Sequence, residues 1–349
     1  MVRFADIVKG KNGKKITEKP SAKKVEENKV RLSDYEQLKI QEEKFSRTHV
    51  FEDDRKLLIG PYYERFIKRA MDIRESVKND KEINVSPLLS DLHQIIKNDY
   101  INDFYEYAIS APGDYEEIIA HTVDVTFASM RIGKGMDYDH KMILRLALAA
   151  FLENVGIYKI PDNILTKKGR LDEKEIKIVR EHPKISYQII GGMGEKFKWL
   201  AKVALQVHER SDGSGYPMGL KGEEISELAS IIGLIETYLA LIKNRPYREK
   251  LTQPYAIKFI IEDVKKLFPI KILKVFFNEI SLFPVNTYVK LNNNSIGRVR
   301  STTQNMPLRP TIELLYDSQK KKIKKPHTIK LSDNNLLYIT EIIDQQDLL

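Results

Sequence analysis

The hydrophobic positions of this chain change their period along its length, and each change predicts a different kind of element. Up to about residue 50, apolar residues are sparse among Lys, Glu, Ser and Asn and show no period. Such a stretch buries too little surface to offset its ordering entropy, so residues 1–50 are expected to form a disordered basic tail. From Glu52 (EDDRKLLIGPYYERFIKRAMDIRESVKND) and from Val85 (VSPLLSDLHQIIKNDYINDFYEYAI), apolar residues recur three and four apart. This spacing predicts two or three amphipathic helices over 51–112, with Ser86 as a cap ahead of Pro87. Ala111, Pro112 and Gly113 interrupt the pattern, and a new helix is expected from Asp114.

Two later segments, MILRLALAAFLENV from Met142 and ELASIIGLIETYLALI from Glu227, are apolar almost all round and read as central buried helices. Between them Pro161 and Gly169 mark a loop, LDEKE opens a helix leading to Glu181, His182 and Pro183, and KWLAKVALQVHE is expected to carry His208 and Glu209 into a glycine-rich loop. From about residue 281 the texture shifts to short alternating runs (FPVNTYVKL, IGRVRS, TIELLYD, TIKLS), with NNNS from Asn292 as one hairpin turn and KKKIKK from Lys320 as another. The expected fold is mainly α, with a helical N-terminal region over 51–112, a helical domain over 113–280 and a small antiparallel β domain over 281–349.

Composition narrows the chemistry. The chain has 349 residues, 42% of them hydrophobic, enough for a sizeable core and more than one domain. It contains no cysteine, which excludes disulfides, thiol nucleophiles and zinc-thiolate sites and leaves His, carboxylate and amide groups as the only metal donors. No window approaches about 18 consecutive apolar residues, and the N-terminus lacks a signal-like apolar stretch, so a cytoplasmic chain without membrane insertion is expected. The formal charge is +9. Met1 to Arg31 holds ten Lys or Arg against four Asp or Glu, so most of the excess sits in the tail and reads as solvated surface, with no specific nucleic-acid partner implied.

The polar residues that interrupt the apolar helices are the candidates for chemistry. Glu117 and His121 stand four apart, so on a helix they share a face and are placed either to grip an ion or to form a surface pair. Glu153 and Asn154 close an otherwise apolar helix, where they face a cavity or are costly to bury. Glu236 is a lone carboxylate within IIGLIETYLALI and must be paired, protonated or bound to a cation. VHERSDGSGYP, from Val207 to Pro217, sets an imidazole and two carboxylates beside Gly213, Gly215 and Pro217. His93 has no second ligand type at matching spacing and is read as structural or exposed.

With these pieces in order, the chain resembles the HD-GYP family, the subgroup of HD-domain metal phosphohydrolases that hydrolyse cyclic di-GMP. The resemblance spans about residues 85 to 345, and its most specific parts are IPDNILTKKGRL, HERSDGSGYP and the NRPYR turn. It implies an HD-type helical bundle and a metal site drawn from Glu117, His121, Glu153, His182, His208 and Glu236. The implied metal is Mn, Fe or Mg, as one ion rather than two, or none. It further implies nucleotide contacts from Asp212, Gly213, Gly215, Tyr216, Pro217, Arg245 and Arg248.

The chain departs from the family pattern where hydrolysis is expected to depend on it. In place of a string like LHDIGKIGIP it has LENVGIYKIP, so Glu153 and Asn154 replace the defining His-Asp pair and Ile157 replaces a lysine. Val207 stands where the family has the first of two histidines, and Glu236 where it has aspartate. The two Glu replacements keep hard oxygen donors, whereas Asn154 offers only a neutral amide where the family's aspartate bridges two metals. The expectation is therefore a degenerate member that binds cyclic di-GMP or a related nucleotide as a signalling effector for a protein partner, with hydrolysis lost or strongly reduced. An active metal-dependent phosphodiesterase producing pGpG or GMP, and a structural protein-interaction module, are the alternatives.

Overall fold

The computed structural model describes residues 52–110, 115–167, 169–243, 251, 253–280, 283, 286–303, 306 and 308–343. The basic tail, the Ala111–Gly113 break and the RPYR turn with Arg245 and Arg248 lie outside the described residues.

Three helices open the described chain: α1 (Glu52–Lys78), α2 (Ser86–Lys97) and α3 (Ile101–Ser110). Ser86 does not cap α2. Val85 occupies the cap without a side-chain hydrogen bond, Pro87 sits in the first turn where its missing N–H costs nothing, and the Ser86 amide donates to Asn84 Oδ1. The apolar faces of α1 and α3 meet α4 (Glu117–Gly135) through an aromatic cluster in which Phe66 and Phe104 lie 5.0 and 4.7 Å from Phe127. Such offset and edge-on pairs add to area burial.

α4 is buried along most of its length and packs on α5 (His140–Leu152), whose start is capped by Asp139 accepting from the Met142 amide at 2.7 Å. A Cβ at Gly133 would come within 2.9 Å of Leu146 Cδ2, which shows how closely the two helices approach. A 3-10 turn (Val155–Lys159) leads into α6 (Asp162–Leu165), then α7 (Glu173–Val179), α8 (His182–Gly192), α9 (Lys198–Gln206) and α10 (Glu227–Ile242). Asp172 and Glu175 form a reciprocal capping box at the start of α7. As its composition predicts, α10 is buried throughout except near Glu227 and Glu236. α11 (Gln253–Phe259) and α12 (Ile270–Glu279) complete the helical part. This is a mainly α architecture.

The C-terminal part is a five-stranded antiparallel sheet in the order β4-β3-β2-β1-β5, from β1 (Tyr288–Leu291), β2 (Ile296–Ser301), β3 (Thr311–Tyr316), β4 (Lys322–Lys330) and β5 (Ile339–Ile343). Its own small core gathers Phe283, Val289, Leu291, Val299, Ile312, Leu314 and Leu331. The Asn-rich turn between β1 and β2 forms as expected: Asn293 Oδ1 accepts from the Ser295 amide and hydroxyl, and Asn294 takes a φ of +67°. The lysine run divides differently, because the turn is made by Asp317 to Lys321 and Lys322 to Lys325 belong to edge strand β4. Lysines along an open edge discourage pairing with another chain.

Candidate functional site

The residues singled out on five separate segments meet at the middle of α10. Glu236 projects from that helix, and its Oε1 lies 3.0 Å from His121 Nε2 on α4. Both side chains are nearly buried, and the lone carboxylate faces an imidazole from a neighbouring helix. On the other side of the site, His182 opens α8 and places its Nδ1 2.7 Å from the Val179 carbonyl. A carbonyl only accepts, so Nδ1 carries the proton and Nε2 presents its lone pair inward. That Nε2 stands 2.9 Å from His208 Nε2. Burial pulls His182 down to about 4 and His208 well below the usual histidine value, the latter aided by its neighbour His182. Both rings are neutral near pH 7, the state in which imidazole binds metals.

Glu153 follows the last residue of α5 and is only 2% exposed. Burial first, and then the charge of the adjacent Glu236 carboxylate, hold its pKa well above the ordinary carboxylate range. Two carboxyl groups in contact share a proton more readily than they share two negative charges. Glu153 Oε2 is buried and has no hydrogen-bond partner among the described residues. The turn that follows α5 is set by Gly156: a Cβ there would fall 2.2 Å from the His182 carbonyl and 2.5 Å from the Ser186 amide, while the Gly156 amide donates to Ser186 Oγ at 2.8 Å. Only glycine lets the end of α5 lie this close to the start of α8, which brings Glu153 and His182 to one site. Asn154 is half-buried beside Glu153, and its carbonyl accepts from Ile157.

His208 is not on a helix as expected. α9 ends at Gln206, and Val207 to Arg210 form a turn held by Arg210, whose guanidinium donates to the Val207 and Glu209 carbonyls at 2.9 and 2.7 Å. Burial pulls Arg210 down to about 10, which still leaves it charged. Glu209 then fastens the glycine-rich loop: its Oε1 accepts from the Met218 amide at 2.7 Å and its Oε2 from the Leu220 amide at 2.9 Å. Gly215 fits because a Cβ would fall 2.4 Å from both the Arg210 nitrogen and the Glu209 Cα, and Gly213 because its φ is +81°. The loop so closed lays the Tyr216 ring parallel to His208, with centroids 5.0 Å apart, and the Arg180 guanidinium stands 5.3 Å from the same ring. The Tyr216–Pro217 peptide is cis.

The structure thus brings His121, Glu153, His182, His208, Glu236 and Tyr216 together. Glu117 is half-buried at the start of α4, one turn before His121. Asp212 is exposed, and its Oδ1 accepts from the Ser214 amide and hydroxyl, so it shapes the loop. Val207 faces the core with no exposed surface, and a Cβ at Gly233 of α10 would fall 2.4 Å from its carbonyl oxygen. Ile157 is likewise buried. Sequence reasoning missed the parts played by Arg180, Glu209 and Arg210, although Glu209 and Arg210 stand inside the motif that drew attention and Arg180 is two residues from His182.

A cluster of buried imidazoles and carboxyl groups raises the question of a metal. Among the described residues, no three His or carboxylate side chains are gathered tightly enough around one point to make a formed ion site. The donors stand instead as pairs around Glu236. Their chemistry nevertheless fits one ion: a neutral His182 whose inward Nε2 accepts from His208 Nε2 and would be freed by an ion, two adjacent buried carboxyl groups, and a Glu153 oxygen that lacks a donor.

Comparison with known proteins agrees with this geometry. Residues 111–268 match the HD domain family, and residues 288–349 match a KOW domain associated with HD domains. The helices that carry the His–carboxylate cluster lie within the stretch that matches the HD domain. The cyclic di-GMP phosphodiesterase PdeB of Borreliella burgdorferi is 31% identical over 202 residues, 58% of this chain and 53% of that protein. The cyclic di-GMP phosphodiesterase PA4108 of Pseudomonas aeruginosa is 27% identical over 201 residues, 58% and 48% of the two chains. The cyclic di-GMP phosphodiesterase response regulator RpfG of Xanthomonas campestris is 39% identical over 124 residues, 35% of this chain and 33% of that protein. The chain spans about half, or less, of the length of these curated relatives. These matches support the HD-GYP family within the HD-domain class. HD-domain phosphohydrolases depend on metal, which supports a metal cofactor in general. No described helix is long and apolar enough to cross a membrane.

Proposed function

We propose that this chain binds cyclic di-GMP, or a related cyclic dinucleotide, as a signalling effector and passes that state to a protein partner, with hydrolysis lost or strongly reduced. The observation that carries the reading is the contrast between two halves of one site. The Glu209-pinned loop that holds Tyr216 against His208 is fully built. Where the family would supply further ligands and a cation for hydrolysis, this chain has the amide of Asn154 and the core-facing side chains of Val207 and Ile157.

His121, Glu153, His182, His208 and Glu236, with Glu117 at the head of α4, are the groups that would hold one Mn, Fe or Mg ion. A bound ion supplies positive charge for a phosphodiester oxygen. The chain's own residues do the rest: Glu209 and Arg210 hold the loop and turn, and Arg180 adds a guanidinium beside Tyr216. Arg245 and Arg248 are assigned to bidentate phosphate contact on sequence alone. A pair of bound metals would supply charge for both the attacking and the leaving oxygen, and the neutral amide of Asn154 would add no charge to hold a second ion.

The rival reading is an active phosphodiesterase, the activity named for the relatives. The two separate cleanly when manganese- or iron-loaded chain is incubated with an equal amount of cyclic di-GMP and the nucleotide is resolved by chromatography. The proposal expects the ligand to be recovered intact; stoichiometric conversion to pGpG or GMP would establish the enzyme instead.

A further inference from the structure

One buried carboxylate has no part in the site described above. Asp124 lies on α4, three residues beyond His121, and is 2% exposed. Its Oδ1 accepts from the Tyr63 hydroxyl of α1 at 2.8 Å, and its Oδ2 lies 3.0 Å from Lys243 Nζ at the end of α10. The same ammonium donates to the Ala108 carbonyl of α3 at 2.6 Å. Burial pushes the Asp124 pKa up, and Lys243 and the Tyr63 hydroxyl oppose that shift. The Asp124 carboxylate and the Lys243 ammonium it holds therefore join four helices.

This cluster bears on the site through the helices it joins. α4 and α10 are cross-linked twice by polar groups, at His121–Glu236 and at Asp124–Lys243, each at 3.0 Å. Along α4 the two anchors are three residues apart, and along α10 they are seven apart. A slip of either helix that broke one link would strain the other. A leucine–leucine contact adapts to such a slip, whereas the Asp124–Lys243 pair, with its defined donors and acceptors, does not. Tyr63 and Ala108 extend the constraint to α1 and α3, so the N-terminal helices are tied to the helix that carries His121.

We propose that Asp124 is a positioning residue: by holding Lys243 and Tyr63 it fixes α4 against α10 and thereby sets the His121–Glu236 pair, making α1 and α3 part of the mechanical frame of the nucleotide site. The ligand arm of the test rests on the function proposed above, and a second arm does not. Three variants of the full chain serve: Asp124→Asn, Lys243→Met and Tyr63→Phe, the last of which removes a single oxygen.

Hydrogen exchange is followed at residues 118–125 and 232–240, and cyclic di-GMP affinity is measured by calorimetry. Loss of a charge-assisted link is expected to speed exchange in both windows and weaken binding about tenfold for Asp124→Asn and Lys243→Met, with a smaller change in the same direction for Tyr63→Phe. If the wild-type chain binds and the variants bind with the same Kd, the positioning role is overturned even when their Tm falls, because a purely structural residue lowers Tm without moving Kd. If the wild-type chain binds no cyclic di-GMP, the function reading fails by itself, and unchanged exchange at 118–125 and 232–240 is then what overturns this inference. Should Asp124→Asn not fold, Tyr63→Phe decides by the same criteria.

Discussion

The closure of the glycine-rich loop rests on one carboxylate, and its removal has a calculable effect. Glu209 is 2% exposed and accepts two backbone amides, Met218 at 2.7 Å and Leu220 at 2.9 Å. Hydrogen bonds to a charged acceptor contribute roughly 1.5–3 kcal/mol each. Met218 is exposed and Leu220 half-buried, so after truncation their amides recover part of this from water. Glu209→Ala should therefore cost about 2–4 kcal/mol, most of it local to residues 211–220. Glu209→Gln keeps one oxygen acceptor and turns an NH2 toward the other amide, so it should lose about half as much.

The assay is amide exchange resolved to the loop, alongside urea unfolding and cyclic di-GMP titration. The loop amides of Glu209→Ala should exchange faster by at least about twentyfold, since 1.4 kcal/mol corresponds to a factor of ten. Binding should weaken with them, because Tyr216 loses its fixed place against His208. The Gln variant should fall between wild type and Ala. Equal loop protection in all three proteins would refute the claim that Glu209 holds the loop.

Other consequences follow from the same geometry. Gly215→Ala places its methyl against backbone at 2.4 Å on both the Arg210 and Glu209 sides, with no flexible group to yield, and should cost about 1–3 kcal/mol in urea unfolding; a cost near zero would contradict the packing described. The buried His182 has a folded pKa lowered from 6.5 to about 4, so its contribution is present above 6.5 and is lost as pH falls from there toward 4, amounting to roughly 3 kcal/mol. Glu153, whose pKa is raised, contributes in the opposite sense: its stabilising effect is present at low pH and is lost as pH rises through its folded value. Denaturant midpoints of wild type and His182→Gln should diverge at pH 7 and converge near pH 4.5, and parallel curves would dismiss the assignment. Arg245→Ala should weaken nucleotide binding more than His208→Ala does, and the reverse order in calorimetry would point to binding that depends on metal.

What could be read in advance follows from which signals are local. α5 and α10 were legible because a helix buried on all sides needs an apolar residue at nearly every position, and Glu153 and Glu236 stood out against that background. The loop was legible because Gly213 and Gly215 occupy places where a Cβ would be strained or would clash. Features decided by tertiary contacts were not. His93 looked isolated, yet its Nδ1 lies 3.0 Å from His140 Nε2, 47 positions away along the chain. Strand β5 pairs with β1 across a long sequence gap and carries a pattern too short to announce itself. Lys322 to Lys325 were read as turn because lysine runs favour solvent, a condition that an edge strand also satisfies. The pairing of Asp124 with Lys243 and Tyr63 joins residues more than 60 positions apart on either side, and nothing in the local pattern marks Asp124 as the meeting point.

The central claim, a nucleotide site kept while its hydrolytic half is lost, is tested most directly by one calorimetric titration of cyclic di-GMP into the full chain with manganese present, the cell contents being chromatographed at the end. The account predicts saturable heat and unaltered cyclic di-GMP. Absence of heat at high micromolar ligand, or recovery of pGpG or GMP in its place, would contradict it.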